Sequence, residues 1–410
     1  MPRAVDPRRS PGQGPVRVGL IIALLLLLGW LSLAVTVDQV LGRSVPGIAA
    51  RWAPWAAGWR IQSATHKLID GNPTPALRAQ AAAESRAAIN RAPLRAAAAR
   101  LLGTTQLLEG SQAVGAYRYA HRLSRRDLPT QLYLIETKVA ANDVAGALRH
   151  YDIAMRTNVT SRAMLGDILI NASDTPEIAQ ALGRLLATRP AWLPEFYQRF
   201  AAQAKNPAAI LIVAGALDFR GDRDEDAEFI TMALERLVQL GAVGDAEHYY
   251  QRVTRTTDRI ALIRNGGFER PNRFQPFDWI IASEPTHSGI VERRPNARGV
   301  ALTLTGNESH AIARQLLVLH PGRYRITATV GNVPQAVEER PKLVLSCQSG
   351  AAIATLPFAA VGEKPRRLEA GFTVPQGCEA QWLDIVNTPA FDGEPADPWI
   401  DDIGIAAGAP

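Results

Sequence analysis

The chain contains one uninterrupted apolar run, from Val18 to Val37, that has no charged residue and no proline. About 20 helical residues are enough to cross a bilayer core of roughly 30 Å, so the run predicts a single transmembrane helix over 18–37. A cleaved signal peptide is the alternative, but its apolar segment is usually about 7–15 residues long and ends at a small-x-small site. The nearest candidate site, Ala34-Val35-Thr36, fits that pattern poorly, which favours an anchor that stays in the protein.

The residues before this run set its orientation. Residues 1–17 hold four arginines and one aspartate. Positively charged flanks stay on the cytoplasmic side, so this basic tail predicts a cytoplasmic N-terminus and an exported body. Arginine greatly outnumbers lysine and alanine is abundant, which is typical of a GC-rich bacterium. We therefore expect a single-pass protein of a bacterial inner membrane whose body lies in the periplasm.

The net charge of +6 does not indicate a nucleic-acid partner. Three of these charges belong to the first 17 residues, and the other basic residues are expected to be scattered among acidic ones. The chain has no basic stripe interleaved with aromatic residues, which is the pattern that nucleic-acid binders use. A length of 410 residues leaves enough chain outside the membrane for two domains.

Residues 38–72 join the predicted membrane helix to the rest of the chain. Trp52, Trp55 and Trp59 are spaced so that they share one face of a helix. Tryptophan favours the headgroup level of a bilayer, so this juxtamembrane segment can lie against the outer leaflet. The same stripe also suits the first helix of the following array, packed against its neighbour. Both interpretations stay open.

Residues 73–260 are alanine-rich and predict helices separated by short turns. One pattern of a small residue, a tyrosine and a second small or branched residue recurs after 34 residues and again 99 residues later. Its copies are Ala113, Tyr117 and Ala120; Ala147, Tyr151 and Ala154; and Ala246, Tyr250 and Val253. A repeated spacing of this length indicates stacked helical hairpins.

The spacing resembles the tetratricopeptide repeat family over about 76–256, with Leu101-Leu102-Gly103 at the place of the family's Leu-Gly pair. The family's tryptophan is missing and residues 157–171 fit the repeat poorly, so the number of repeats stays open. The resemblance implies an α-solenoid whose concave face binds a protein partner. The alternative is a spacer that holds the last domain away from the membrane.

Near residue 262 the spacing of apolar residues changes from the period of about 3.6 residues that is typical of a helix to the period of two that is typical of a strand. Alternating runs begin at Val300, Tyr324, Leu343 and Leu368, with Gly and Pro residues between them. Short alternating strands joined by such turns predict an antiparallel β-sandwich over 261–410. The predicted fold class is therefore multidomain: a transmembrane helix, an α-solenoid and an antiparallel β-sandwich.

Four short motifs mark the sandwich region. They are Asn265-Gly-Gly-Phe-Glu269, Pro276-Phe-Asp-Trp279, Pro321-Gly-Arg-Tyr324 and Trp399-Ile-Asp-Asp-Ile403. Their order resembles the jelly-roll carbohydrate-binding modules that accompany many polysaccharide-degrading enzymes, over about residues 262–407. The resemblance implies a polysaccharide ligand and a structural calcium ion.

Glu269 and Asp401 match the positions that commonly help to bind calcium in those modules. Asp401 has the parity of Ile403 and Ile405, so we expect it to point into the sandwich. A buried carboxylate needs a partner, and a cation held by oxygen ligands would supply one. Backbone amides or an arginine are the alternative partners.

Exposed aromatic side chains are the candidates for sugar stacking, because the apolar faces of sugar rings favour flat partners. The candidate ligand-binding residues are Phe391, Trp279 and Trp382. Phe391 lies in a loop with proline and glycine, where we expect exposure. Trp279 belongs to a motif that builds the sandwich, so a place in the core is the alternative for it.

The two cysteines, Cys347 and Cys378, both fall in strand-like runs of the sandwich region. In an oxidising compartment they can form a disulfide, and two buried free thiols are the alternative. Their number and spacing do not match a zinc site.

The chain lacks the common catalytic motifs, namely the phosphate-binding Gly-x-x-x-x-Gly-Lys loop, His-Glu-x-x-His and the Gly-x-Ser-x-Gly elbow. The sequence therefore favours a non-enzymatic scaffold in cell-envelope or exopolysaccharide assembly. Two alternatives stay open: a glycan-active enzyme whose carboxylates lie in the sandwich loops, and a protein-interaction module without a sugar ligand.

Overall fold

A computed structural model of the chain describes residues 14–40, 48, 56–70, 73–255, 262–294, 297, 299–362, 364–389 and 397–408. The chain divides into two compact units, Met1–Ser161 and Arg162–Pro410. The first unit is helical, and the second contains helices followed by two antiparallel sheets. The helical region followed by a β-sandwich agrees with the fold class expected from the sequence.

The first unit contains seven α-helices within its described residues. They are α1 (Gly14–Val40), α2 (Ala57–Asp70), α3 (Pro75–Arg91), α4 (Ala96–Leu108), α5 (Val114–Leu123), α6 (Leu128–Ala140) and α7 (Val144–Thr157). Helix α1 contains the stretch Arg17–Val37, which has a mean hydropathy of 2.7 and is long and apolar enough to cross a membrane. Other helices begin at sequence-encoded caps: the Asp143 side chain, for example, accepts the Gly146 amide at 2.7 Å before α7.

The recurring alanine–tyrosine pattern marks the buried face of the helices that carry it. All nine of its positions are buried, at 8% exposure or less. The Tyr117 ring on α5 lies against Gly103 on α4, where an added Cβ would come within 2.7 Å of it. A glycine is therefore needed at that crossing, because any side chain would push the two helices apart.

The helices of the second unit come before its strands. They are α8 (Arg162–Ala172), α9 (Pro176–Leu186), α10 (Leu193–Gln203), α11 (Pro207–Ala216), α12 (Asp224–Gln239) and α13 (Val243–Thr254). Asp226 in the first turn of α12 is fully buried, where it accepts a hydrogen bond from the Arg189 side chain at 2.8 Å and from the Arg220 amide at 3.0 Å. These partners offset the cost of burying its charge.

Eleven strands form the sandwich within the part of the chain that the structure describes. They are β1 (Ile280–Ile281), β2 (Ser283–Glu284), β3 (His287–Arg293), β4 (Val300–Gly306), β5 (Ala311–Leu317), β6 (Gly322–Gly331), β7 (Lys342–Cys347), β8 (Ala352–Pro357), β9 (Arg366–Val374), β10 (Gln381–Val386) and β11 (Trp399–Ala407). A five-stranded sheet has the order β1-β5-β10-β7-β8, and a six-stranded sheet has the order β2-β3-β4-β11-β6-β9. The inner faces of the two sheets enclose one apolar core.

Helix α13 packs directly on the segment that leads into the sandwich. The Tyr250 hydroxyl donates to Asp278 Oδ1 at 2.8 Å, and both residues are buried. The Arg264 guanidinium lies over the Tyr250 ring at 4.6 Å and the Phe277 ring at 5.2 Å, and its Nη2 is 3.1 Å from Glu247 Oε1. These contacts join helix and sandwich through aromatic packing and a buried polar network.

A second link joins α12 to the residue that follows β7, where Gln348 Nε2 donates to the Val238 carbonyl oxygen at 3.0 Å. The division between compact units falls after Ser161, within the stretch 157–171 that fits the repeat poorly. Helices α8–α13 therefore share one compact unit with the strands. The boundary at residue 260, where the periodicity changes, stays a prediction.

Candidate ligand-binding face

Trp382 lies on the outer face of the five-stranded sheet. Its strand β10 alternates between Leu383 and Ile385, which are buried in the core, and Trp382 and Asp384, which are half-buried on the other face. The alternation follows from the pleat of a strand, in which successive side chains point to opposite faces. The strand therefore presents an aromatic ring and a carboxylate, two residues apart, on one surface.

Arg314 on the adjacent strand β5 completes this group. It pairs with Asp384 across the sheet, and its Nε lies 3.1 Å from Asp384 Oδ1. Its guanidinium carbon is also 4.0 Å from the centroid of the Trp382 ring, which is within the range of a cation–π contact. We call Trp382, Arg314 and Asp384 the sheet-face triad.

Burial shapes the electrostatics of the triad. It raises the pKa of Asp384 above its usual range, while the Arg314 guanidinium acts in the opposite direction. The ion pair gives this face a donor and an acceptor beside an aromatic ring. That combination suits a neutral polyhydroxyl ligand, because hydroxyls can both donate and accept while the ring contacts C–H groups.

The surroundings of the triad differ at the two sides, and they include one basic residue, Lys342, which pairs with Val386 on the same outer face. Toward the sheet edge, Ser346 and Val344 on β7 pair with Trp382 and Asp384, and exposed Thr355 on β8 pairs with Val344. On the opposite side Leu316 pairs with Trp382 and is fully buried. The accessible part of this face therefore extends from the triad toward β8.

Trp279, the second candidate, lies in the sandwich core. It is fully buried and belongs to the core cluster, its indole Nε1 donates to the Asn265 carbonyl at 3.1 Å, and its ring lies 5.3 Å from Phe268. The ring offers no surface to a ligand, as the alternative interpretation of its motif anticipated. Phe391, the third candidate, lies outside the described residues.

The structure places the two calcium candidates differently from each other. Glu269 is exposed, whereas Asp401 is 2% exposed and accepts a hydrogen bond from the Asp402 amide at 2.6 Å. Within the described ranges, no group of three His, Cys, Asp or Glu residues could hold a metal ion. A backbone amide thus supplies one partner for Asp401, and the calcium site stays a prediction.

The direction of Asp401 also differs from the expectation. Its neighbour Ile400 pairs with Val330 of the core, so Asp401, which pairs with Thr329, lies on the outer face of the six-stranded sheet. The register shifts between Asp401 and Gly404, at an irregularity where Asp402 has a φ of 49°. This β-bulge changes the parity, so Ile403 and Asp401 do not share a face.

Cys347 and Cys378 form a disulfide in the structure, with their Cα atoms 5.5 Å apart. The bond joins the end of β7 to the residues that precede β10. It lies next to Gln348, which contacts α12, so the covalent link supports the corner where sheet and helix meet.

No family model and no curated protein matches the chain. Several solved structures are similar to part of it. The module TmCBM61 in complex with beta-1,4-galactotriose is 19% identical and the match covers 36% of this chain and 99% of that chain, with a TM-score of 0.26. A CBM4 structure is 14% identical over 36% of this chain and 99% of that chain, with a TM-score of 0.28. The CBM22-1 xylan-binding domain of Xyn10C from Paenibacillus barcinonensis is 15% identical over 32% and 85%, with a TM-score of 0.23.

Proposed function

We propose that this chain is a membrane-anchored, non-enzymatic binding protein that holds a glycan on the outer face of its five-stranded sheet. The sheet-face triad carries the proposal, because it combines a half-buried tryptophan with a donor and an acceptor that neutralise each other. In the cell, α1 would fix the protein in the inner membrane with its body in the periplasm. The protein would then act as a scaffold in the assembly of cell-envelope or exported polysaccharide.

The ligand that fits this face is neutral and extended. Arg314 and Asp384 already neutralise each other, so a charged sugar would gain little from either residue and would disturb their pair. A neutral chain can instead place hydroxyls against the ion pair while a sugar ring meets the edge of the Trp382 indole. The open, uncharged strip toward Thr355 gives room for further sugar units.

Binding of β-1,4-galactan, xylan and mannan to the full-length protein in detergent micelles tests the proposal, with isothermal titration calorimetry as the readout. Trp382→Ala should weaken the binding of the preferred glycan by about tenfold or more, because a central aromatic contact commonly dominates such a site. Ile290→Ala is the matched control, since Ile290 is 48% exposed on the six-stranded sheet and its loss should change affinity less than about twofold. Glycan binding that survives Trp382→Ala would refute this location.

Two further measurements address the rest of the proposal. Release of reducing ends from a bound glycan would show an enzyme rather than a scaffold. The predicted calcium at Glu269 and Asp401 is tested by chelation: a bound structural ion should make the melting temperature of the protein fall on addition of EDTA, and an unchanged melting temperature would remove calcium from the proposal.

A further inference from the structure

A groove of about 1000 Å³ lies in the first unit, on a surface that the glycan proposal does not use. It is bordered by α2, by the turn between α3 and α4, and by the turn between α5 and α6. The two turns bring Arg95 and Arg126 to its lining, α4 adds Arg100, and Asp127 is the acidic residue among the lining residues.

The groove lies in the most basic part of the exported chain. Residues 57–161 carry 14 Lys and Arg against 7 Asp and Glu, a net charge of +7, whereas residues 162–410 carry 25 against 30, a net charge of −5. The positive charge is thus concentrated in the first unit, contrary to the scattered distribution expected from the sequence. A charge concentration of this size attracts acidic partners at a distance.

The charges inside the groove do not cancel. Asp127 pairs with Arg100, whose Nε lies 3.1 Å from Asp127 Oδ2, and both side chains are largely buried. Arg126 is exposed and makes no ion pair with any residue that the structure describes. The groove therefore has an excess of positive charge, part of which is directly accessible.

The lip of the groove is apolar. Leu94 is 81% exposed, and Ala96 and Ala97 beside it are half-buried. A leucine this exposed next to arginines favours a partner that offers both carboxylates and an apolar side chain. A peptide carries these two chemistries at alternating positions, whereas a polyuronate supplies carboxylates without apolar side chains.

We infer that this groove binds an acidic, leucine-containing segment of a partner protein in an extended conformation. The inference deepens the scaffold role proposed above, because it assigns a site and a chemical class to the protein partner. It does not depend on whether the sandwich binds glycan, since the groove and the sheet-face triad share no residue.

Fluorescence anisotropy with the full-length protein in nanodiscs of zwitterionic lipid tests the inference. The probe is a labelled peptide of alternating Glu and Leu, and its counterpart has Gln in place of each Glu. The acidic peptide should bind, and its affinity should fall as salt rises from 50 to 300 mM, because exposed ion pairs are screened over about 6–14 Å in this range. The amide counterpart should not bind measurably.

Arg126→Glu should weaken the binding of the acidic peptide by about tenfold, and Leu94→Ser should weaken it by about threefold. Arg118→Glu is the matched control, because Arg118 is exposed on α5 and does not line the groove, and it should change affinity less than about twofold. An equal loss in the Arg118 variant would show unspecific attraction to the basic unit and would overturn the inference.

Two other occupants are distinguished in the same assay. Polygalacturonate, or nanodiscs with phosphatidylglycerol, that bind the wild-type protein more tightly than the acidic peptide does, and that bind Arg126→Glu but not Leu94→Ser more weakly, would make the groove an anion or lipid site, contrary to the inference. Glycan binding by the same variants is measured in parallel. If Arg126→Glu and Leu94→Ser lose the peptide but keep the glycan affinity of the wild type, the inference is supported. If Trp382→Ala loses the glycan but still binds the peptide, the groove acts independently of the glycan proposal.

Discussion

The hydrogen bond between Tyr250 and Asp278 allows a direct test of how firmly the helices are joined to the sandwich. Tyr250→Phe removes one hydroxyl and keeps the ring that contacts Phe277 at 5.3 Å. Asp278 Oδ2 retains the amides of Arg273 and Phe274, each at 2.9 Å. In the variant, Asp278 Oδ1 therefore loses its tyrosine donor at a site that is only 8% exposed.

The size of the effect follows from the acceptor. A hydrogen bond to a charged group contributes about 1.5–3 kcal/mol, and about 1.4 kcal/mol corresponds to a factor of ten in an equilibrium constant. The equilibrium constant for opening of α13 away from the sandwich should therefore rise by roughly 10- to 150-fold. Burial and the nearby Asp278 carboxylate raise the pKa of Tyr250, so its hydroxyl stays protonated and the effect should not vary between neutral and mildly alkaline pH.

Hydrogen exchange measured by mass spectrometry on the full-length protein resolves this opening locally. Amides of Val243–Thr254 should exchange faster in Tyr250→Phe than in the wild type by the factor given above. Tyr151→Phe is the matched control: Tyr151 holds the equivalent position of the alanine–tyrosine pattern on α7, and its hydroxyl makes no hydrogen bond with the described residues. Equal exchange in the two variants, or no change in either, would refute a structural role for the Tyr250–Asp278 bond.

Three further predictions concern stability. Burial lowers the pKa of His150 from 6.5 to about 4, so between these pH values the unfolded chain binds a proton that the folded chain does not. The melting temperature should therefore fall as the pH drops from about 6.5 to 4. His150→Asn should reduce this fall, whereas the control His66→Asn, at an exposed site, should not. Gly266→Ala should lower the free energy of unfolding of the sandwich by about 3 kcal/mol and with it the melting temperature, because an added Cβ would lie 1.9 Å from the Ile403 carbonyl oxygen. A variant with wild-type thermal denaturation would contradict this packing. Reduction of the disulfide should lower the free energy of unfolding in urea by about 3–4 kcal/mol, because the bond closes a loop across 31 residues, and an unchanged midpoint would oppose that view.

Periodicity predicted the buried face of the helices well, because the spacing of side chains around a helix is fixed. The alanine–tyrosine sets show this, since all of their members are buried. Periodicity was less informative in the strands. In β4 both Leu302 and Thr303 are buried, and Thr303 satisfies its hydroxyl through Glu292 and Arg294 on the outer face. A strand that is covered on both faces loses its polar alternation.

The candidate site was only partly predictable for a related reason. The spacing of Trp382 and Asp384 places both on one face of a strand and can be read from the sequence. Their partner Arg314 is far away in the chain, and the cross-strand register that brings it to Trp382 is set by tertiary packing. The bulge after Asp401 could not be predicted from the sequence either, because one inserted residue moves every later side chain of the strand to the opposite face of the sheet.

The basic groove was missed because charge was considered over the whole chain. The net value of +6 hides a first unit at +11, of which residues 57–161 supply +7, and a second unit at −5. A count by segment would have found the concentration, but not the placement of Arg126 and Leu94 in one groove, which depends on how the turns between helices come together.

The packing of α13 on the sandwich has a practical consequence for anyone who wants to isolate the candidate ligand-binding face. A fragment that begins where the helices end would leave the fully buried Phe277 and the nearly buried Phe274 without their contacts to Tyr250, and would expose apolar surface that promotes aggregation. A fragment that begins at Arg162 keeps those contacts intact. The smallest soluble form of the sandwich should therefore carry its six preceding helices with it.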